Sequence, residues 1–250
     1  MIPRYRIILP LVAMCLALVI APAFAAKKMT QPVQSIPAGT PEVGTINSTA
    51  AAVCPQIGQP DANFQYPWLY PPDDKYSVFI DPATCFPSGV LLTSAHWILN
   101  WPSACEIDNV VVTVEAAVES SPGSGCWVPD ESQVLCGPVL TNLLATSPAL
   151  IDHSVPLACT TLNQKAFICF KLPTGGNCPL NGDGSLASPL YIFDNTADVC
   201  TSYNTFPGSG GPLDMVTTFG FPGNTSMYVI GDAVTPVSRS TWGQVRTLYR

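Results

Sequence analysis

Asn109-Val110-Val111-Val112-Thr113-Val114-Glu115-Ala116-Ala117-Val118 carries the clearest sign of the secondary structure in this chain. Valine dominates it, and from Val112 to Glu115 apolar and polar residues alternate. Successive side chains of a strand point to opposite faces, so this pattern is a strand with one buried face, placed centrally in its sheet. Similar short runs lie on either side: Tyr76 to Ile80, Val90 to Ala95, Gln133 to Leu140, Lys165 to Leu172, Pro189 to Phe193 and Ser226 to Ile230. Turn residues fence them, as in Pro87-Ser88-Gly89, Pro122-Gly123-Ser124-Gly125, Gly137-Pro138, Pro173-Thr174-Gly175-Gly176 and Pro222-Gly223-Asn224. Breaks this frequent leave no room for long helices. Many short strands with Gly/Pro turns predict an all-β protein, a single jelly-roll-like antiparallel β-sandwich.

The ends read differently. Arg4 and Arg6 precede an apolar run from Ile7 to Ile20, and Ala23-Phe24-Ala25 supplies a small-x-small cleavage pattern, so residues 1–25 are expected to be a signal peptide. The run is too short for a membrane-spanning helix. Residues 26–52 are rich in Pro, Gly, Thr, Ser and Ala without a period and read as a flexible leader, 53–234 as the sandwich domain, and 235–250 as a C-terminal tail. In that tail Trp242, Val245, Leu248 and Tyr249 recur at helical spacing.

Charge narrows the partners. The chain carries 10 Lys+Arg against 17 Asp+Glu, a net −7, and loss of Arg4 and Arg6 with the signal takes the balance to about −9. Nucleic acid and anionic membranes are disfavoured as partners. Only 11% of residues are charged, so much of the surface must be Ser, Thr, Asn, Gln, Gly and Pro, as in many secreted β proteins.

Cys54, Cys85, Cys105, Cys126, Cys136, Cys159, Cys169, Cys178 and Cys200 follow the signal, an odd set. Export to an oxidising compartment would pair most of them. The first expected pair is Cys126 with Cys136, which bracket a Pro-containing loop; Cys85 with Cys105, and Cys159 with Cys178 or Cys200, come next. Cys169 sits in Phe167-Ile168-Cys169-Phe170, where a small apolar side chain packs, and is the candidate for the unpaired thiol.

Candidate chemistry is sparse. Leu92-Thr93-Ser94-Ala95-His96-Trp97 resembles the segment carrying the catalytic histidine of trypsin-like serine proteases, and Gly208-Ser209-Gly210-Gly211-Pro212-Leu213 resembles their nucleophile loop. The resemblance implies a triad of His96, Asp152 and Ser209. The departures are that Gly208 stands where the family has an Asp, Trp97 stands where it has a cysteine, and an Ile-Val-Gly-Gly-like start is missing. They favour a strand around His96 and a surface loop from Phe206 to Pro212. His96 and His153 are the only histidines and no Cys-x-x-Cys occurs, so no metal ligands, cofactor-binding residues or catalytic residues are assigned. Asn181-Gly182-Asp183-Gly184-Ser185 clusters oxygen ligands for calcium but reads first as a turn. Asn47-Ser48-Thr49 and Asn224-Thr225-Ser226 fit the glycosylation pattern. Tyr66, Trp68 and Tyr70, in an aromatic-proline stretch, offer a sugar platform or a cover over one end of the core.

Over Tyr76 to Ala233 the chain resembles an uncharacterised class of secreted bacterial β-sandwich proteins. The resemblance lies in Cys126-Trp127-Val128-Pro129, then Cys136 and Cys159, then Cys200-Thr201-Ser202-Tyr203-Asn204, Phe221-Pro222-Gly223 and Met227-Tyr228-Val229-Ile230; Ser240-Thr241-Trp242-Gly243 and Leu248-Tyr249-Arg250 are similar to the tails of the same class. It implies export from a bacterial cell and carries no established activity.

The expectation is therefore a secreted, non-catalytic module, extracellular, surface-associated or periplasmic, with a binding or structural role toward an extracellular or cell-surface glycan or protein. The alternatives are a divergent trypsin-like protease using His96, Asp152 and Ser209, and a carbohydrate-binding module presenting a coplanar set among Trp68, Trp97, Trp101 and Trp127.

Overall fold

The computed structural model describes residues 34–35, 56–69, 73–159, 161–172, 177–182 and 185–234. The signal peptide, most of the leader, the tail and Asn47 lie outside the described residues. In chain order the elements are β1 (Gln34–Ser35), β2 (Gln56–Gly58), β3 (Phe64–Leu69), β4 (Asp74–Ile80), β5 (Val90–Trp101), β6 (Cys105–Glu119), β7 (Trp127–Ala145), β8 (Ala149–Pro156), β9 (Ala166–Leu172), β10 (Ser185–Phe193), β11 (Ser202–Thr205), β12 (Leu213–Asp214), the short helix α1 (Met215–Phe219) and β13 (Met227–Ala233).

They form two antiparallel sheets of a jelly-roll-like sandwich. One follows the order β1-β3-β10-β5-β13-β2, with β8 also paired to β5; the other follows β12-β11-β4-β9-β6-β7. The valine run Val110-Val111-Val112 lies in β6, held between β9 and β7, a strand with partners on both edges. Gln34 and Ser35, within the stretch read as leader, pair with Gln65 and Phe64 of β3.

Alternation places the core. Tyr76, Val78 and Ile80 of β4, Val110, Val112 and Val114 of β6, and Ile168 and Phe170 of β9 face Ala95, Trp97, Leu99 and Trp101 of β5, with Tyr191, Phe193 and Val229 beside them. The rings interlock at centroid distances of 5.7 Å for Tyr76–Trp97, 5.2 Å for Tyr76–Tyr191 and 5.0 Å for Trp97–Phe170. Each such side chain, fully buried, contributes roughly 1.5–3 kcal/mol.

Gly137-Pro138, read as a break, lies inside β7. There Cys136 pairs with Val114 and Val139 with Val112, so the ladder carries a bulge. Gly137 has φ 92°, and a Cβ there would meet the Val112 carbonyl oxygen at 2.6 Å, which requires glycine. Helix α1 is capped at its start by Asp214, whose carboxylate accepts from the Thr217 amide, and at its end by Gly220 at φ 70°.

The disulfides are Cys105–Cys178, Cys126–Cys200 and Cys136–Cys159, with Cα separations of 4.9, 5.3 and 5.2 Å. Cys85 is also disulfide-bonded. None of the expected pairings occurs, and for three of them the strand between the two cysteines is the reason. Cys126 lies just before β7 and Cys136 within it, Cys85 and Cys105 flank the ends of β5, and Cys159 and Cys178 flank β9. A strand rising ~3.3 Å per residue holds such neighbours on the order of 20–40 Å apart. Cys169 is free and buried, as expected, and burial pushes its thiol pKa up.

Candidate functional site

Between Leu92 and Ser94 the β5–β13 ladder skips a residue: Gly231 pairs with Leu92 and Ile230 with Ser94, leaving Thr93 as a bulge. The bulge reverses the parity of β5. Leu92 points into the core, and so do Ala95 and Trp97, while Ser94 and His96 point to the opposite, outward face. On that face β8 brings Ser154 opposite His96 and Asp152 opposite Ile98, and β13 brings Tyr228 opposite His96.

These side chains form one hydrogen-bonded array. The Ser94 hydroxyl lies 2.8 Å from His96 Nε2, and His96 Nδ1 lies 3.1 and 3.2 Å from the two Asp152 carboxylate oxygens. A carboxylate only accepts, so Nδ1 carries the proton, and in the neutral ring Nε2 accepts from Ser94. Ser154 Oγ approaches the same Nε2 at 3.4 Å. Tyr228 stacks on the imidazole, with centroids 4.4 Å apart and planes 14° apart, and donates its hydroxyl to Asp152. Burial, then the bond to Asp152 and its charge, push the Tyr228 pKa up, so it stays a donor. His96 is buried, whereas Ser94 and Asp152 are partly exposed and Ser154 is exposed.

Two members of the protease-like set are thus joined and the third is not. Ser209 lies in the loop between β11 and β12, in the other sheet. Its hydroxyl donates to the Gly211 carbonyl at 2.8 Å and takes the amides of Phe206 and Gly211 at 3.4 Å, so it closes its own turn and is not the hydroxyl on His96. The serine on Nε2 is Ser94, which sequence reasoning missed. The available signal was its position two residues before His96 on a strand, which puts both on one face.

The remaining candidates separate cleanly. Trp97 and Trp101 are fully buried in the core, and Trp127 lies 4.4 Å beneath the Lys165 ammonium, so these three present no coplanar exposed platform. Tyr66 is buried edge-on against Phe221 at 5.3 Å; the Trp68 side chain and Tyr70 lie outside the described residues, as do Asp183 and Gly184 of the calcium candidate. Asn224 is fully buried: its carbonyl accepts from Ser202 at 3.0 Å and its amide donates to the Thr196 carbonyl, so the folded chain offers no acceptor for a glycan there. His153 faces inward and accepts the Trp101 indole N–H at 2.9 Å; burial pulls its pKa down to about 4 against the opposing pull of Asp152. Among the described residues no three His, Cys, Asp or Glu side chains converge as metal ligands, and no helix is long and apolar enough to cross a membrane.

A second buried polar cluster lies on the outer face of the other sheet. Three residues, Glu131 to Gln133, are inserted in β7 between the partners of Glu115 and Ala116. The insertion carries Glu131 to Lys75, whose Nζ lies 2.8 Å from Glu131 and 2.9 Å from Glu115. Burial works to lower the Lys75 pKa, but its negative neighbours outweigh it and hold the ammonium charged.

No protein-family model matches the chain, and no curated protein matches it. Among solved structures it is similar to the cysteine protease and lectin-like domains of Cwp84, a surface layer associated protein of Clostridium difficile, with a TM-score of 0.44 and 14% identity over 72% of this chain and 36% of that one. A clostridial cysteine protease Cwp84 after propeptide cleavage gives a TM-score of 0.41 and 15% identity, over 73% and 38%. The chain spans little more than a third of the length of these proteins, and a likeness at this level carries no argument about chemistry.

Proposed function

We propose that this chain is exported by a bacterial cell and works outside the cytoplasm, free or at the cell surface, as a non-catalytic β-sandwich module with a binding or structural role. The observation that carries this reading is the cysteine pattern: all described cysteines but Cys169 are disulfide-bonded, which suits an oxidising compartment. The acidic, charge-poor composition supports a partner other than nucleic acid, either a glycan or a protein of the cell exterior. The one histidine joined to a carboxylate and a serine lies on a sheet face, where backbone N–H groups run in the plane of the sheet toward neighbouring strands.

The test is to express the full chain with its own N-terminus in a bacterial host and fractionate the culture. A protein beginning at Ala26, with oxidised cysteines, in the periplasmic, surface or culture fraction is expected. An unprocessed, reduced protein confined to the cytoplasm overturns the reading. Binding to whole cells or insoluble polysaccharide then separates a binding role from a structural one.

A further inference from the structure

We propose that Ser94 is a nucleophilic hydroxyl and a covalent modification site, taking an acyl group from an ester or thioester donor with a good leaving group. The observation is the relay on the outer face of β5: Ser94 Oγ to His96 Nε2 at 2.8 Å, and His96 Nδ1 to the Asp152 carboxylate at 3.1 and 3.2 Å. A serine hydroxyl is a weak nucleophile until a base within hydrogen-bond reach takes its proton and a third group orients that base. Here the β5 bulge aims Ser94 outward, Asp152 fixes the ring tautomer, and Tyr228 holds both the ring, by stacking, and the carboxylate, by its hydroxyl. Ser94 is partly exposed, so a donor on the sheet surface can reach it, while the base behind it is buried.

In the step, Ser94 Oγ attacks the acyl carbon and its proton passes to Nε2. The tetrahedral adduct collapses, breaking the carbon–oxygen or carbon–sulfur bond to the leaving group, which departs with the proton from Nε2. His96 is the base that contacts the reacting hydroxyl; Asp152 and Tyr228 are positioning residues. The product is an alkyl ester of serine, whose leaving group is far poorer than that of the donor. Hydrolysis of that ester by water is correspondingly slow. The site therefore accepts one acyl group per chain and does not turn over, which keeps it compatible with the non-catalytic module proposed above.

The experiment uses the folded, oxidised full chain with a fluorophosphonate probe, in which the P–F bond breaks and fluoride leaves, and with p-nitrophenyl acetate. The expected result is one adduct per chain, mapped by peptide mass spectrometry to Ser94, and a single-equivalent burst of p-nitrophenolate followed by slow release. His96→Gln should label about 10²–10⁴-fold more slowly. Asp152→Asn should slow labelling and abolish the low-field Nδ1 proton resonance, which Ser94→Ala should retain. Mapping on the unaltered chain needs no variant to fold. An absent adduct, an adduct on another residue, or His96→Gln labelling at the original rate overturns the proposal. Release of many equivalents upholds the nucleophile and overturns the non-catalytic reading instead.

Discussion

Acidification should destabilise the fold through His153, whose ring is largely buried against Trp101. Its Nε2 accepts the Trp101 indole N–H, so protonating that nitrogen both removes a hydrogen bond and charges a buried ring. The folded pKa is depressed to about 4 from 6.5, so the unfolded chain binds this proton first and stability falls as pH drops below about 6.5. Between pH 7 and pH 5 the difference in proton uptake corresponds to about 2 kcal/mol, approaching roughly 3 kcal/mol below pH 4. Carboxylates titrate in the same range, so the contribution of His153 is read as a difference. Urea unfolding at pH 7 and pH 5 should show the full loss in the unaltered protein and about 2 kcal/mol less in His153→Gln, whose side-chain oxygen can still accept from Trp101. Equal losses in the two proteins would refute the assignment.

Replacing Cys126 and Cys200 together by serine opens a covalent loop spanning 74 positions and should cost about 4 kcal/mol in urea or thermal unfolding. Lys75→Met strands the buried Glu115 carboxylate and should cost about 3–5 kcal/mol, with partial recovery when Glu115→Gln is added, whereas Glu131→Gln, at an exposed side chain, should cost far less. Expression in a glycosylating host should leave Asn224 unmodified by intact mass, and Asn224→Ala should destabilise by about 1–3 kcal/mol by leaving the buried Ser202 hydroxyl without its acceptor, while the Thr196 carbonyl keeps the Asp198 amide.

What the sequence discloses here depends on how local the cause is. The valine run of β6, the apolar runs of β4 and β9, and the small buried thiol of Cys169 are local patterns, and each stands in the structure where the chain suggests. Strand β8 was not legible: Ala149–Pro156 carries Asp152, His153 and Ser154, which look like loop residues until register puts Asp152 and Ser154 on the His96 face and His153 on the inward one. Glu131 reaches Lys75 only because β7 bulges there, and a bulge leaves little trace in a single sequence. Disulfide pairing failed for a related reason, since cysteines close in sequence were held apart by the very strands between them. At the site, His96 was legible in the protease-like fragment and Asp152 only as the carboxylate that the resemblance implies, while Ser94, Ser154 and Tyr228 emerged from register.

The three described bridges overlap along the chain: Cys105–Cys178 encloses Cys126, Cys126–Cys200 encloses Cys178, and Cys136–Cys159 is nested within both. Any single peptide-bond cut between Cys105 and Cys200 therefore leaves both products joined by at least one sulfur–sulfur link. A protease that nicks an exposed turn such as Ser120 to Gly125 severs the polypeptide without releasing a fragment. The same linkage retains strands β6 to β10 beside one another, so a clipped molecule can persist as one particle until it meets a reductant.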